Sequence, residues 1–286
     1  MKPKLHCSSL ILSLILCSPF HLWAENLILN GNAELGSTEH FSASGCDFTA
    51  TKESAYEGEY GFEVIKTEES EARDIVNSDL IEISPDKTYE LSVMLKSAGN
   101  TLSSDVYVGI MSFDQDQALF YSHAINFRLN TETELVEDAN VGDDVVKIKN
   151  IDRWLTPDPL GYIAFNAEAD FSDLPNRDLS PLGIKSATKQ GDHWAITLEL
   201  PLTKFFPAGT KVRQHIHGNT YNYFVVGGTT IPLEWTMFRK QISGIERGQL
   251  NTNFWPGTRY VKLLILSGTN PNERLLVDDI SFEEVP

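Results

Sequence analysis

Apolar and polar positions alternate along much of this 286-residue chain. Tyr89, Leu91, Val93 and Leu95 alternate with polar neighbours, as do Val106, Val108 and Ile110, and Tyr260 to Leu266 is a short run of apolar and β-branched residues. A period of two puts every second side chain on one face of a sheet, so these segments read as half-buried strands. Ser84-Pro85-Asp86-Lys87, Ser97 to Asn100 and Asn270-Pro271-Asn272 carry the turn chemistry that separates them. No long stretch repeats apolar residues at helical spacing. The pattern predicts an all-β fold, a sandwich of antiparallel strands. Two more short strands are expected at the ends, in Asn26 to Gly36 and Leu275 to Phe282. If they pair, Glu34 meets one of Asp278 and Asp279, and the termini close the sandwich.

The middle of the chain has a different cadence. Between about 131 and 213 come Thr133-Glu134-Leu135, Val141-Gly142-Asp143, alternating Val146 and Ile148, then Trp154 and the strand Gly161 to Phe165. A hairpin turning at Gly191-Asp192 follows, and the unit closes with Leu200-Pro201-Leu202 and Ala208-Gly209-Thr210-Lys211-Val212. This predicts a small β-barrel, 131–213, inserted in a surface loop of the sandwich, where a long insertion costs little closure entropy. The unit's ending resembles that of small β-modules in phage structural and bacterial surface proteins. That resemblance implies a fold and no activity.

The N-terminus reads as an address. Lys2 and Lys4, the apolar run Leu10 to Cys17 and Ala24 have the order of a secretory leader, predicting a signal peptide over 1–24 and a secreted, periplasmic or cell-surface protein. Leu16, larger than the residue expected before a lipidated cysteine, argues against lipidation of Cys17. No apolar run reaches the roughly 20 residues of a membrane-spanning helix. Losing the leader's two lysines takes the net charge from −17 to −19. Such acidity disfavours nucleic acid and anionic lipid and suits neutral ligands and divalent cations. After residue 24 only Cys46 remains, which excludes an intramolecular disulfide and a four-cysteine zinc site.

With the insert set aside, four places stand in a telling order: Asn26 to Gly36, Ser54 to Phe62, Ile83 to Val93, and Val277-Asp278-Asp279-Ile280-Ser281-Phe282. Residues 25–130 joined to 214–286 resemble the jelly-roll carbohydrate-binding modules of the galactose-binding-like fold. The resemblance implies an exported, non-catalytic binder of polysaccharide or cell-surface glycan. It also implies a structural calcium ion between the terminal strands, held here by Glu34, the backbone near Gly58, and Asp278. Calcium takes six to eight hard oxygen ligands, which carboxylates and carbonyls supply. Asn32-Ala33 departs from the aspartate and aromatic common in such modules.

Sugar recognition needs aromatic faces and a few planar polar groups. The densest such patch runs from Arg213 through His215, His217, Tyr221, Asn222 and Tyr223 to Trp235. Regular alternation sets Arg213, His215 and His217 on one face and Tyr221 with Tyr223 on one face. Packing is nevertheless the favoured role of Trp235 and Trp255, and still more of Trp154 and Trp194 in the insert. A transition-metal site at His215 and His217 lacks a third ligand. The same Arg, His and Tyr groups would serve a lyase acting on an acidic polysaccharide, the alternative reading. A third is an adhesion or assembly module in which the sandwich presents the insert. No Gly-x-Ser-x-Gly elbow, phosphate loop or His-Glu-x-x-His motif occurs, and 40 acidic residues single out no glycosidase pair.

Overall fold

A computed structural model describes residues 25–66, 74–99, 101–245, 252–267 and 273–286. The leader expected over 1–24 and the turn at 270–272 lie outside them. The protein is an all-β jelly roll, with one short helix among the described residues. The strands before the insert are β1 (Phe41–Ser44), β2 (Cys46–Thr51), β3 (Gly61–Lys66), β4 (Asp74–Asn77), β5 (Ile81–Glu82), β6 (Thr88–Ala98) and β7 (Val106–Phe113). The helix α1 (Ser122–Ile125) follows. The middle unit holds β8 (Thr133–Glu134), β9 (Val145–Ile148), β10 (Gly161–Phe165), β11 (Ile184–Gln190), β12 (His193–Leu198) and β13 (Lys211–Ile216). The chain then returns as β14 (Asn222–Thr229), β15 (Thr236–Ile242), β16 (Tyr260–Leu266) and β17 (Arg274–Val285).

Two sheets face each other. One runs β1-β4-β16-β7-β14, with β5 also on β16, and the other runs β15-β6-β17-β3-β2. The alternation in β6, β7 and β16 decides which side is buried: Leu91, Val93, Leu95, Val106, Val108, Val261, Leu263 and Ile265 all enter one core. Their out-of-phase neighbours therefore point away from it, onto the two outer faces of the sandwich.

The middle unit has its own core, built from Leu135, Ile148, Ile163, Phe165, Ile196, Phe206, Val212 and others. Two three-stranded sheets, β10-β13-β8 and β11-β12-β9, enclose it. Single bridges between Leu135 and Ile148, and between Asp158 and Ile184, tie one sheet to the other. A third cluster, Phe120, Ile125 and Trp255, sits beside α1. Trp255 is a packing residue here, its indole N–H donating to the Thr220 carbonyl.

The first stretch departs from expectation. Residues 26–36 form turns, with no strand. Asn30 and Ala33 take positive φ, 54° and 58°, which bends the chain out of the extended conformation. The termini nevertheless meet. Leu27 N–H donates to the Phe282 carbonyl at 2.9 Å and Ile280 N–H to that of Gly31 at 2.9 Å. The Asn26 amide joins in, donating to the Ile280 carbonyl and accepting from Phe282 N–H.

Candidate functional site

Glu34 and Asp278 grip one loop. Glu34 Oε1 accepts from Glu59 N–H at 2.9 Å and Tyr60 N–H at 3.1 Å. Asp278 Oδ2 accepts from Tyr56 N–H at 2.7 Å, and its Oδ1 from Asp279 N–H. Gly58, at φ +73°, lies so close that a Cβ there would sit 2.2 Å from Glu34 Oε1. Asp279 points to solvent at φ 46°, beside the bulge in β17, so only Asp278 faces the seam. Asp278 is 2% exposed, and burial raises its carboxyl above the usual range, against three backbone N–H bonds that lower it. No cationic side chain pairs with it among the described residues. Glu34 and Asp278 are thus two carboxylates on one loop, the buried one without a cationic partner, and hard oxygens of this kind would suit a hard cation. No group of three or more His, Cys, Asp or Glu converges among the described residues, so side chains alone do not supply the six to eight ligands of calcium.

The expected sugar-binding patch separates into three places. Arg213 and His215 are each 0% exposed, so neither presents itself to a ligand. Arg213 Nη2 donates to Asp173 Oδ2 at 2.6 Å and its Nη1 to the Glu168 carbonyl. Its guanidinium lies over the rings of Phe127 and Phe171, 4.5 and 5.1 Å from their centroids. His215 Nδ1 donates to the His123 carbonyl at 2.7 Å, since a carbonyl only accepts, and its Nε2 accepts from Arg213 Nε at 3.2 Å. Burial first, then the Arg213 charge, lowers the His215 pKa to about 3. This ring is neutral with both nitrogens engaged, which removes it as a metal ligand and as the acid or base of a lyase. Asn222 is also buried, its amide donating to the Asn253 carbonyl at 3.0 Å. Arg213 and His215 hold the junction of sandwich and insert together, while Asn222 ties two segments of the sandwich. The alternation held for Arg213 and His215 but on an inward face, because the insert's loop 168–173 covers that side of β13. His217 lies past the end of β13 and is exposed.

Tyr221 and Tyr223 stand elsewhere, on the outer face of the six-stranded sheet. They meet edge to face at 6.0 Å, and Tyr107 of β7 joins Tyr223 at 4.9 Å. Each ring is partly exposed, and among the described residues no partner takes the three hydroxyls. Burial raises the Tyr221 and Tyr223 pKa values, with Asp74 adding to both, so these hydroxyls stay protonated. Tyr107 escaped the sequence reading although its signal was there: an aromatic on the outward phase of an otherwise apolar alternation. Trp235 stands on the opposite sheet, against Tyr56 at 5.6 Å.

The match to known families falls on the N-terminal part of the sandwich and the start of the insert. Residues 25–137 match the carbohydrate binding domain family. The matched segment takes in β1 to β8, and with it Tyr107, Asp74, Glu34 and Gly58, but not Tyr221, Tyr223 or Asp278. No curated protein matches the chain. Among solved structures, the CBM22-1 xylan-binding domain of Paenibacillus barcinonensis Xyn10C is similar at 11% identity, covering 89% of this chain and 92% of that one, with a TM-score of 0.39. The C-terminal family 22 module of Clostridium thermocellum Xyn10B shares 9% identity over 91% of this chain and 95% of its own, with a TM-score of 0.37. TmCBM61, solved with β-1,4-galactotriose, shares 10% identity over 92% of this chain and all of its own (100%), with a TM-score of 0.34.

Proposed function

We propose that this protein is an exported, non-catalytic binder of neutral polysaccharide, and that Tyr107, Tyr221 and Tyr223 form its contact surface. The observation that carries this reading is the tyrosine cluster itself. Three rings on one outer sheet face offer apolar surfaces for the C–H faces of sugars and hydroxyls for hydrogen bonds. The family match over residues 25–137 supports the ligand class. The net charge of −17 favours a neutral glycan over a uronate-rich one, since like charge repels. Export rests on the leader pattern in residues 1–24. Glu34, the backbone near Gly58 and Asp278 would hold a calcium ion whose part is to brace the loop, with no role in the ligand contact.

Affinity electrophoresis and calorimetry on neutral polysaccharides test the reading. Tyr223→Ala is expected to weaken binding by about tenfold or more, for a lost ring contact worth about 1.5 kcal/mol. No reducing ends and no unsaturated products should appear on prolonged incubation. Product release would sink the non-catalytic reading, and unchanged binding by Tyr223→Ala would move the site elsewhere.

A further inference from the structure

We propose that Tyr56 and Trp235 form a second carbohydrate contact, a corner for one neutral pyranose ring on the face of the sandwich opposite the tyrosine cluster. The two places are on different sheets. Trp235 precedes β15, whose Thr236 pairs with Leu95 of β6, and Lys96 Nζ lies 6.0 Å from the Trp235 ring. Leu95 points into the main core, so Lys96 and the indole lie on the outer face of the five-stranded sheet. Tyr56 reaches the same face through Asp278, whose neighbour Val277 is a core residue. Tyr107, Tyr221 and Tyr223 belong to the outer face of the other sheet, with the whole core between.

The corner has the features a sugar ring needs. The Tyr56 and Trp235 rings meet at 60° with centroids 5.6 Å apart, giving two walls of a re-entrant edge. Tyr56 is 40% exposed. The indole N–H of Trp235, like that of Trp194, has no partner among the described residues, whereas those of Trp154 and Trp255 are satisfied by carbonyls. A pyranose presents an apolar C–H face to one ring and a hydroxyl to that N–H. The charges nearby have both signs, Lys96 against exposed Glu57 and Glu234, which suits an uncharged ring better than a uronate. The corner is small. Beyond it the neighbouring exposed apolar side chains along the chain are Leu233 and Met237, too little surface for a stable protein interface.

The loop that carries Tyr56 is also fixed in advance. Asp278 holds Tyr56 and Glu57 N–H, and Glu34 holds Glu59 and Tyr60 N–H. A loop already ordered loses little freedom on binding, so more of the contact energy appears as affinity. The seam at the chain's ends thereby acquires a use besides stability: it aims a ring at a ligand. Two contacts on opposite faces make each molecule bivalent, able to join two polysaccharide chains.

The experiment uses the full chain, soluble β-1,4-glucan, xylan, galactan and mannan oligosaccharides, and Trp235→Ala, Tyr223→Ala and the double variant. Unchanged near-ultraviolet circular dichroism and melting check each fold. The expected result is two sites per chain in calorimetry, one in each single variant and none in the double. Ligand should shift tryptophan emission in wild type and Tyr223→Ala but not in Trp235→Ala, and only wild type should cross-link the long polymers. One site per chain together with wild-type binding by Trp235→Ala overturns the corner and leaves the tyrosine cluster standing. Wild-type binding by Tyr223→Ala with loss in Trp235→Ala supports the corner and overturns the cluster. No binding of any neutral glycan by wild type overturns both.

Discussion

Arg213 is a charged residue with no exposed surface, and its environment shows why. Asp173 neutralises it, the Glu168 carbonyl accepts from Nη1 and His215 from Nε, and two phenyl rings cover its faces. Removing one member of such a buried pair leaves the other charge without compensation, a loss of about 3–5 kcal/mol. We expect Arg213→Met to lose stability of that order in urea unfolding, while Arg213→Met with Asp173→Leu recovers much of it. His215 gives a pH signature. Its folded pKa lies near 3 and its ordinary value is 6.5, so the unfolded chain binds more protons between the two. The stability from the neutral ring is therefore fully present above about pH 6.5 and lost as pH falls toward 3, at up to about 1.4 kcal/mol per pH unit. His123, its pKa also lowered by burial and then by His217, acts in the same direction. Urea titrations at pH 7 and pH 5 should show a loss in wild type that His215→Gln diminishes. Equal losses in both proteins would mean that His215 does not sense the pH.

At the scale of elements, the seam decides how the sandwich closes. The last strand was legible as a strand because Leu275, Val277, Ile280 and Phe282 are core residues on a readable pattern. The N-terminal segment was not, because its apolar residues resemble a strand while Asn30 and Ala33 turn it at positive φ. Its pairing with β17 was foreseen in place but not in form. Gly58 has a local reason to be glycine: at φ +73° a side chain strains the backbone by about 1–2 kcal/mol and meets the Glu34 carboxylate. Gly58→Ala should lower the melting temperature accordingly. If calcium binds here, adding it after a chelator should raise the melting midpoint, and Glu34→Ala should abolish the rise. An identical midpoint with chelator and with calcium would remove the ion. The insert's strands β9, β10 and β12 fell where alternation put them, but the short helix α1 carried no periodic signal in four residues.

Over the whole molecule, two cores and one strong negative charge set the behaviour toward ligands. A chain of net charge −17 repels polyanions at long range, and salt screens that repulsion. Binding of neutral polysaccharide should stay nearly constant between about 50 and 500 mM NaCl, while any weak binding of a polyuronate should strengthen as salt is added. Strong polyuronate binding at low salt would contradict the neutral-ligand reading. The sequence by itself determined the all-β class and the meeting of the two ends. Those follow from local alternation and turn chemistry, which a chain carries wherever it folds. Which side of each strand meets solvent was decided only in three dimensions. Alternation groups Arg213 with His215, and Tyr221 with Tyr223, without saying what will cover either face. The insert covers the first pair, while the second stays open beside Tyr107, a residue more than one hundred positions earlier. Trp235 went to the opposite sheet because β14 and β15, though consecutive, belong to different sheets.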